Sequence, residues 1–298
     1  MCGIVGLLLK TPTLHASLGE LMVPMLVGMG DRGPDSAGLA VFTEQLPIGE
    51  LKYSLYSGRQ VCDWAVLLAT AQAELSDQAT LQDNGNHAIL TAQIAPDVFK
   101  PWLVQRYPQL HLLSAGRTLD LYKDTGGPAA VAQRYQFETL KGTHLVGHTR
   151  MATESAVTPA HAHPFTAGED FCLVHNGSLS NPHAIRRKLE PQGIHFETDN
   201  DTEAACRFLE WRMSQGDDLK TALEKGFEEL DGFYTFLMGT ANQLALVRDA
   251  FACKPALVAE TDDYVAIASE FRALAHLPDI DQAQLFEPAP EEIYVWNV

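Results

Sequence analysis

Strand-like runs stand at both ends of this 298-residue sequence, and helical runs fill its middle. Apolar and β-branched residues predict a buried strand at 2–9. A turn punctuated by Gly and Pro at 32–38 leads into a short strand predicted at 39–42. Later strands are predicted at 145–149, 170–175, 233–240, 244–249, 256–260, 264–269 and 292–297. Helices are predicted at 18–30, 181–189, 201–213 and 219–230. Strands gathered on both sides of a helical block favour an α+β layered sandwich over a doubly wound sheet.

The stretch from about 50 to 140 has a different pattern, in which strands and helices alternate. Strands are predicted at 52–57, 87–94 and 110–122, with helices at 61–75, 96–107 and 128–135. We therefore predict a single domain over 1–298 that carries an inserted α/β subdomain at about 50–140.

Charge and cysteine content limit the kind of protein. The chain has 38 acidic and 21 basic residues, a net charge of −17 that repels nucleic acid and anionic membranes at long range. Its first nine residues are too short to span a bilayer and lack the basic start of a secretory signal. Five dispersed cysteines without a CxxC pair predict a reducing, cytoplasmic location and no zinc ribbon.

Cys2 is the first candidate for chemistry. We expect Met1 to be removed, which would leave a thiol and a free α-amine on one residue. Such an amine has a pKa of about 8, so part of it is a free base at neutral pH that accepts the thiol proton. A cysteine at the second position is more often inert, so Cys2 alone does not establish an enzyme.

Two charged residues have the chemistry that an α-amino acid ligand requires. Arg150 ends a predicted strand, where its guanidinium could clamp a carboxylate, although an isolated arginine more often forms a surface ion pair. Asp201 precedes a helical run, where it could cap the helix, hold a substrate ammonium, or do both. Asp199 competes with Asp201 for that role.

The segment His175-Asn176-Gly177 lies at the end of the strand predicted at 170–175. The Asn176 amide and the main-chain N–H of Gly177 could form an oxyanion hole, because glycine permits close approach of the backbone. The alternative is an ordinary Asn-Gly turn between two strands, which is the commonest use of this dipeptide.

Five segments in order resemble the class II glutamine amidotransferases, which are N-terminal-nucleophile (Ntn) hydrolases. They begin at Cys2 (CGIVG), Arg32 (RGPDSAG), Gly147 (GHTRMAT), His175 (HNG) and Asp201 (DTE). The resemblance spans nearly the whole chain, and it implies a four-layer αββα sandwich.

The resemblance also implies roles at matching positions. Cys2 would be the nucleophile and its α-amine the base, while Asn176 and Gly177 would form the oxyanion hole. Arg150, with Thr153 beside it, would bind the α-carboxylate of glutamine, and Asp201 its ammonium. Arg32 would brace the loop around the nucleophile.

Two departures from the family stand out. Relatives of glucosamine-6-phosphate synthase carry Trp and His in the segment that here reads Met151 and Glu154. The gap between Ser36 and Arg150 is also far larger than in the compact members, because of the insertion at about 50–140. The sequence contains no P-loop, no GxGxxG after a strand and no cysteine cluster, so we expect no cofactor in this chain. His161 and His163, with His144, His148 and His175, fit no zinc signature, and we expect no metal.

In its length and its lack of an acceptor segment, the chain looks most like the stand-alone GlxB-type group. These proteins are similar to the glutaminase domain of glutamate synthase and include the corresponding subunit of N-methylglutamate synthase. This implies glutamine as substrate and flavin-containing synthase subunits as partners; the ammonia acceptor and the oligomeric state stay open. Two alternatives remain, a hydrolase of another γ-glutamyl amide and an inactive regulatory or scaffold subunit.

Overall fold

The computed structural model describes residues 2–58, 62–152 and 158–298. Its α-helices are α1 (Leu18–Gly28), α2 (Trp64–Glu74), α3 (Pro96–Arg106), α4 (Pro128–Arg134), α5 (Pro182–Leu189), α6 (Asp201–Ser214) and α7 (Leu219–Glu229). Its first strands are β1 (Gly3–Leu9), β2 (Ser36–Phe42), β3 (Leu51–Tyr56), β4 (Thr80–Asn84), β5 (His87–Ala92), β6 (His111–Gly116), β7 (Leu119–Thr125) and β8 (His144–Arg150). The later strands are β9 (Phe165–Thr166), β10 (Cys172–Leu179), β11 (Gly232–Thr240), β12 (Gln243–Arg248), β13 (Leu257–Glu260), β14 (Tyr264–Ala268), β15 (Gln284–Phe286) and β16 (Ile293–Asn297).

Within the described residues these strands form three antiparallel sheets. Seven strands in the order β15-β13-β14-β1-β8-β2-β7 form the first sheet, and five in the order β16-β12-β11-β10-β9 form the second. The third has four strands in the order β4-β5-β3-β6. The strand at the start of the chain, β1, therefore lies in the interior of the largest sheet, between β14 and β8.

Apolar side chains divide the molecule into layers. Ile4, Val146, Val174 and Leu237 belong to a buried cluster between the first two sheets. A second cluster joins α1 and α4 to the outer face of the seven-stranded sheet, and a third joins α5, α6 and α7 to the outer face of the five-stranded sheet. The result is the four-layer αββα sandwich. Among the described residues no helix has both the length and the apolar character of a membrane span.

The four-stranded sheet has its own apolar core with α2 and α3, which includes Tyr53, Trp64, Phe99 and Trp102. All of its strands lie within 51–116, whereas β7 and α4 pack with the main sandwich. The division of the chain into one domain with an insertion at about 50–140 stays a prediction.

The stretch 110–122, predicted as one strand, is two strands that belong to different sheets. Asp170, remote in sequence, causes the break, because its carboxylate accepts bonds from the main-chain N–H groups of Arg117 at 2.9 Å, Thr118 at 2.8 Å and Leu119 at 3.0 Å. The short strands β4, β9 and β15 were not predicted. β4 is a polar, largely exposed edge strand, so it lacks the apolar alternation that marks a half-buried strand.

Two leucines test the core between the sheets. Leu237 is fully buried there, and Leu285 on the edge strand β15 is 45% exposed. We expect Leu237→Ala to lower the free energy of unfolding by about 2–5 kcal/mol through lost burial and a cavity. The matched Leu285→Ala variant should lose under about 1 kcal/mol in urea denaturation. Equal losses would contradict this placement of Leu237.

Candidate active site

Cys2 immediately precedes β1, and its main-chain carbonyl is held from two sides. Arg32 Nε donates to the Cys2 oxygen at 2.9 Å, and Asn176 Nδ2 donates to the same oxygen at 3.1 Å. The Cys2 Sγ is 3.8 Å from the main-chain oxygen of Met151. Three of the predicted site residues, far apart in sequence, therefore meet at this end of the strand.

Arg32 links Cys2 to the segment that follows β14. Its Nη1 forms an ion pair with Glu270 Oε1 at 2.8 Å, and the Arg32 side chain is only 10% exposed. Glu270 also pairs with Arg272 at 3.1 Å through its second oxygen. The Arg32 guanidinium thus bonds to both Cys2 and Glu270, and these bonds hold the chain around Cys2.

Arg150 is the last residue of β8 and is buried. The pairing of β1 with β8 ends at Gly3 opposite Thr149, so the next position on each strand places Cys2 beside Arg150. Asp35 fixes the chain at this arginine and just after it. Its N–H donates to the Arg150 oxygen at 3.1 Å, and its carboxylate accepts from the N–H of Ala152 at 2.8 Å.

Asn176 and Gly177 lie inside β10, which runs on to Leu179, so the prediction that this strand ends at residue 175 is wrong and the pair is not a turn. Gly177 has a φ of 142° and faces Tyr234 of β11. A Cβ here would lie 2.0 Å from the Phe233 oxygen, so only glycine fits.

The orientation of the Asn176 amide is set by its partners. Nδ2 faces the Cys2 carbonyl, which only accepts, and also lies 3.3 Å from Ser269 Oγ. Ser269 in turn accepts from the N–H of Ile4 at 2.9 Å. The amide nitrogen of Asn176 is therefore directed toward Cys2. Ser269 was not among the predicted site residues, since only its contacts with β1 and Asn176 reveal it.

Asp201 is the first residue of α6 and does not cap it. Asn200 is the N-cap, because its Oδ1 accepts from the N–H of Thr202 at 2.8 Å. The Asp201 carboxylate accepts from the N–H of Leu179 at 2.9 Å and lies 3.7 Å from His175 Nδ1. A quarter of this side chain is exposed.

Asp199 is set apart from these residues. Its side chain is 85% exposed and lies 3.1 Å from His161 Nε2. The hydrogen bond with His161 is the main reason that the pKa of Asp199 is lowered. The predicted residue Thr153 and the departure at Glu154 lie outside the described residues, as does Met1.

Three buried histidines, His148, His163 and His175, lie behind Asn176 and Asp201. The rings of His148 and His163 stack with centroids 4.1 Å apart. The Thr202 hydroxyl lies 2.8 Å from His163 Nε2 and 3.0 Å from His175 Nδ1. His148 and His175 stand in the motifs quoted above, but no sequence signal joins them to Thr202.

A cavity of about 1580 Å³ lies between the four-stranded sheet and the sandwich. Lys123, Phe165 and Glu203 are in its wall, and Cys2 is not. The Lys123 ammonium is buried and donates to the carbonyls of Ala162 at 3.0 Å and Pro164 at 3.3 Å. Burial lowers the pKa of Lys123 to about 8.

Comparisons with known proteins identify the family of the chain. The family described as "Glutamine amidotransferase domain" matches residues 148–276. The chain is 46% identical to "Glutamine amidotransferase-like protein GlxB" of Rhizobium meliloti, an alignment that covers 100% of this chain and 98% of that protein. This chain belongs to the class II glutamine amidotransferases. It is also 33% identical to "Putative glutamine amidotransferase" of Methanothermobacter thermautotrophicus, over 99% of each protein.

Solved structures show the fold of this amidotransferase. Glutamine phosphoribosylpyrophosphate amidotransferase of B. subtilis superposes with a TM-score of 0.63 at 20% identity, over 99% of this chain and 47% of that one. An "allosteric regulatory enzyme of purine biosynthesis" gives 0.60. This chain spans about half the length of those enzymes. The predicted αββα sandwich is confirmed.

The described residues contain no cluster of three or more His, Cys, Asp and Glu side chains that could hold a metal ion. The histidines near the site have other partners. His161 pairs with Asp199, and His163 bonds to Thr202.

The buried histidines make stability depend on pH. Burial lowers the pKa of His148 from about 6.5 in the unfolded chain to about 3, so the unfolded chain takes up a proton first. Stability is therefore present above about pH 6.5 and lost as the pH falls below it. We expect the loss in unfolding free energy between pH 7 and pH 5 to be about 2 kcal/mol smaller for His148→Phe. Urea denaturation at both pH values measures this difference.

The exposed His195→Phe variant is the control and should keep the wild-type dependence. An unchanged pH dependence in His148→Phe would show that His148 is not held neutral.

Proposed function

We propose that this amidotransferase hydrolyses the side-chain amide of glutamine through a γ-glutamyl thioester on Cys2 and passes the ammonia to a partner synthase subunit. The observation that carries the proposal is the convergence on Cys2. Arg32 and Asn176 hold its carbonyl, and the strand register places Arg150 next to it.

In the first step, the α-amine freed by loss of Met1 takes the thiol proton of Cys2, and the thiolate attacks the amide carbon. The C–N bond breaks as that proton is delivered to the leaving nitrogen, which departs as ammonia. Water then attacks the thioester, which releases glutamate and restores the thiol. No histidine is required, because nucleophile and base belong to one residue.

The oxyanion of each tetrahedral intermediate would be stabilised by Asn176 Nδ2 and the N–H of Gly177. Asn176 is buried, and the amide already faces Cys2, so little reorganisation is needed when the charge develops. The absence of a side chain at Gly177 leaves its N–H open to close approach.

Recognition of glutamine would rest on charges at its two α-substituents. We propose that Arg150, with Thr153 beside it, binds the carboxylate, and that Asp201 binds the ammonium. Asp201 is a better candidate than Asp199, because it contacts His175 next to Asn176, whereas Asp199 pairs with His161 at the surface.

We further propose that the partner carries the flavin and this chain no cofactor. Free ammonia would escape into water unless a partner received it directly. The described cysteines are all unpaired, and a free thiol nucleophile requires reducing conditions, which supports a cytoplasmic location.

Glutamate release from glutamine tests the mechanism. We expect Cys2→Ala to abolish the release, because the thioester can no longer form, while the exposed-cysteine control Cys253→Ala keeps it. The intact mass of the purified chain should be lower than that of the full sequence by one methionine residue. A retained Met1 would turn the base into an amide nitrogen and contradict this mechanism.

The same assay separates the alternatives. Faster turnover of γ-glutamyl amines than of glutamine would favour a hydrolase of another γ-glutamyl amide. Glutamine-dependent activity of a partner complex that survives Cys2→Ala would favour an inactive scaffold.

Arg150→Lys tests the carboxylate contact. Lysine keeps the charge but loses the bidentate geometry, so we expect the KM for glutamine to rise by about tenfold with kcat nearly unchanged. The control is Arg106→Lys on the exposed face of α3, which pairs with Glu74 and should leave both constants unchanged. A fall in kcat with an unchanged KM would contradict a binding role for Arg150.

A further inference from the structure

Glu203, the third residue of the DTE motif, is a carboxylate outside the groups proposed to perform the chemistry, and its side chain is only 3% exposed. A buried carboxylate requires partners for its oxygens. Glu203 finds them in the chain that precedes α6, because it accepts from the N–H of Glu197 at 2.8 Å and from the N–H of Thr198 at 2.7 Å. It therefore bonds to the segment that leads directly into Asp201.

A hydroxyl extends this contact to the helix cap. Thr198 Oγ1 donates to Glu203 at 2.7 Å and accepts from the N–H of Asn200 at 3.2 Å. Asn200 is the N-cap of α6 and Glu203 is the third residue of the helix, a position from which a glutamate commonly bonds directly to the N–H of the cap residue. Here Thr198 stands between the two residues, so its hydroxyl relays the bond.

The path of this segment depends on such side-chain bonds, since residues 193–200 form neither helix nor strand. Arg207, on the next turn of α6, donates its Nε to Glu203 at 2.8 Å. Burial alone would raise the pKa of Glu203, but the hydrogen bonds that its carboxylate accepts outweigh burial and lower the pKa. The carboxylate is therefore charged at neutral pH and acts only as an acceptor.

Asp201 is thus fixed from two directions. Its main chain follows the segment that Glu203 holds, and its carboxylate accepts from the N–H of Leu179 at 2.9 Å. Leu179 lies two residues beyond Gly177 on β10, so the second bond ties Asp201 to the strand that carries the proposed oxyanion hole. Binding groups have to be held within about 0.5 Å of their productive positions, so both anchors matter for ligand affinity.

We propose that Glu203 is a positioning residue for glutamine. Through Thr198 and the segment 197–200, it sets the place of the Asp201 carboxylate, which binds the α-ammonium of the substrate. The inference rests on the proposed function, because it needs Asp201 as the partner of that ammonium. Its consequence is a binding defect confined to ligands that carry an α-ammonium group.

Calorimetric titration of Cys2→Ala protein, the parent for all variants below, tests this role without turnover. Two ligands are compared, glutamine and glutaramate, which is glutamine without its α-amino group. We expect the parent to bind glutamine at least about tenfold more tightly, since only glutamine offers a hydrogen-bonded charge to Asp201. Asp201→Asn should reduce that ratio.

Thr198→Val is the mildest variant of the relay, since it removes the hydroxyl and leaves the direct bonds of Glu203 to the main chain. We expect the Kd of glutamine to rise by about two- to tenfold, the effect of one lost hydrogen bond, with the Kd of glutaramate unchanged. Thr198→Ser restores the hydroxyl and should restore the parent's ratio of the two Kd values.

Glu203→Gln should have the larger effect. In either orientation of the new amide, its nitrogen would replace an oxygen that accepts from a main-chain N–H, so two donors would face each other. We expect the Kd of glutamine to rise by about tenfold or more, again with glutaramate unchanged. The matched control is Glu210→Gln, on the same helix two turns further along, which should change neither Kd.

A structural role alone would weaken both ligands together. Equal weakening of glutamine and glutaramate in Thr198→Val, or no weakening of either, would overturn the positioning role. Thr198→Val and Thr198→Ser decide the question even where Glu203→Gln fails to fold.

Failure of the proposed function has a different signature. Equal binding of glutamine and glutaramate by the parent, no binding of glutamine, or a ratio that Asp201→Asn leaves unchanged would contradict the proposed role of Asp201, and this inference with it.

Discussion

The pairing of β1 with β8 in the interior of the seven-stranded sheet is the constraint on which the site depends. It brings Cys2, just before one strand, beside Arg150, at the end of the other. On the opposite side, Ser269 just after β14 exchanges two hydrogen bonds with Ile4, at 2.9 Å to its hydroxyl and 3.0 Å from its N–H. A slip of one residue would turn Ile4 out of the core, so the burial of β1 fixes the position of Cys2.

The second sheet completes the site across an apolar layer. Ile4 and Val174 lie in the core between the sheets, and Asn176, two residues beyond Val174, reaches the Cys2 carbonyl at the rim of that core. Side chains two apart on a strand share one face, so Val174 and Asn176 both point toward the first sheet. The packing of apolar residues thus sets the distance between the groups that are proposed to perform the chemistry.

Much of this was accessible from sequence, because strong local patterns and short motifs carry it. The buried run at 2–9 and the helices at 18–30, 181–189, 201–213 and 219–230 were predicted close to their observed bounds. The αββα arrangement came from the resemblance. What was missed depends on contacts remote in sequence. Asp170 splits the stretch 110–122 by binding its N–H groups, and no periodicity shows that.

Among the site residues too, local sequence patterns differ from what contacts remote in sequence impose. Asn176-Gly177 has the local signature of a turn, yet pairing with β11 extends the strand through it, because cross-strand hydrogen bonds outweigh local preference. Asp201 looks like a helix cap, but Asn200, one residue earlier, takes that position. Thr202 and Ser269 act only through partners that the fold supplies.

The Asn176 amide contributes both to the order of the resting site and to the proposed reaction. Both of its Nδ2 hydrogens are engaged in this structure, one with the Cys2 carbonyl and one with Ser269 Oγ. In the proposed mechanism, an oxyanion must replace one of these neutral acceptors. That exchange is favourable, because a hydrogen bond to a charged acceptor is about twice as strong as one to a neutral group. The Asn176 Nδ2 group that holds Cys2 in the resting structure is then also the group that would bind the oxyanion. The ordering of the nucleophile and the binding of the transition state are therefore coupled.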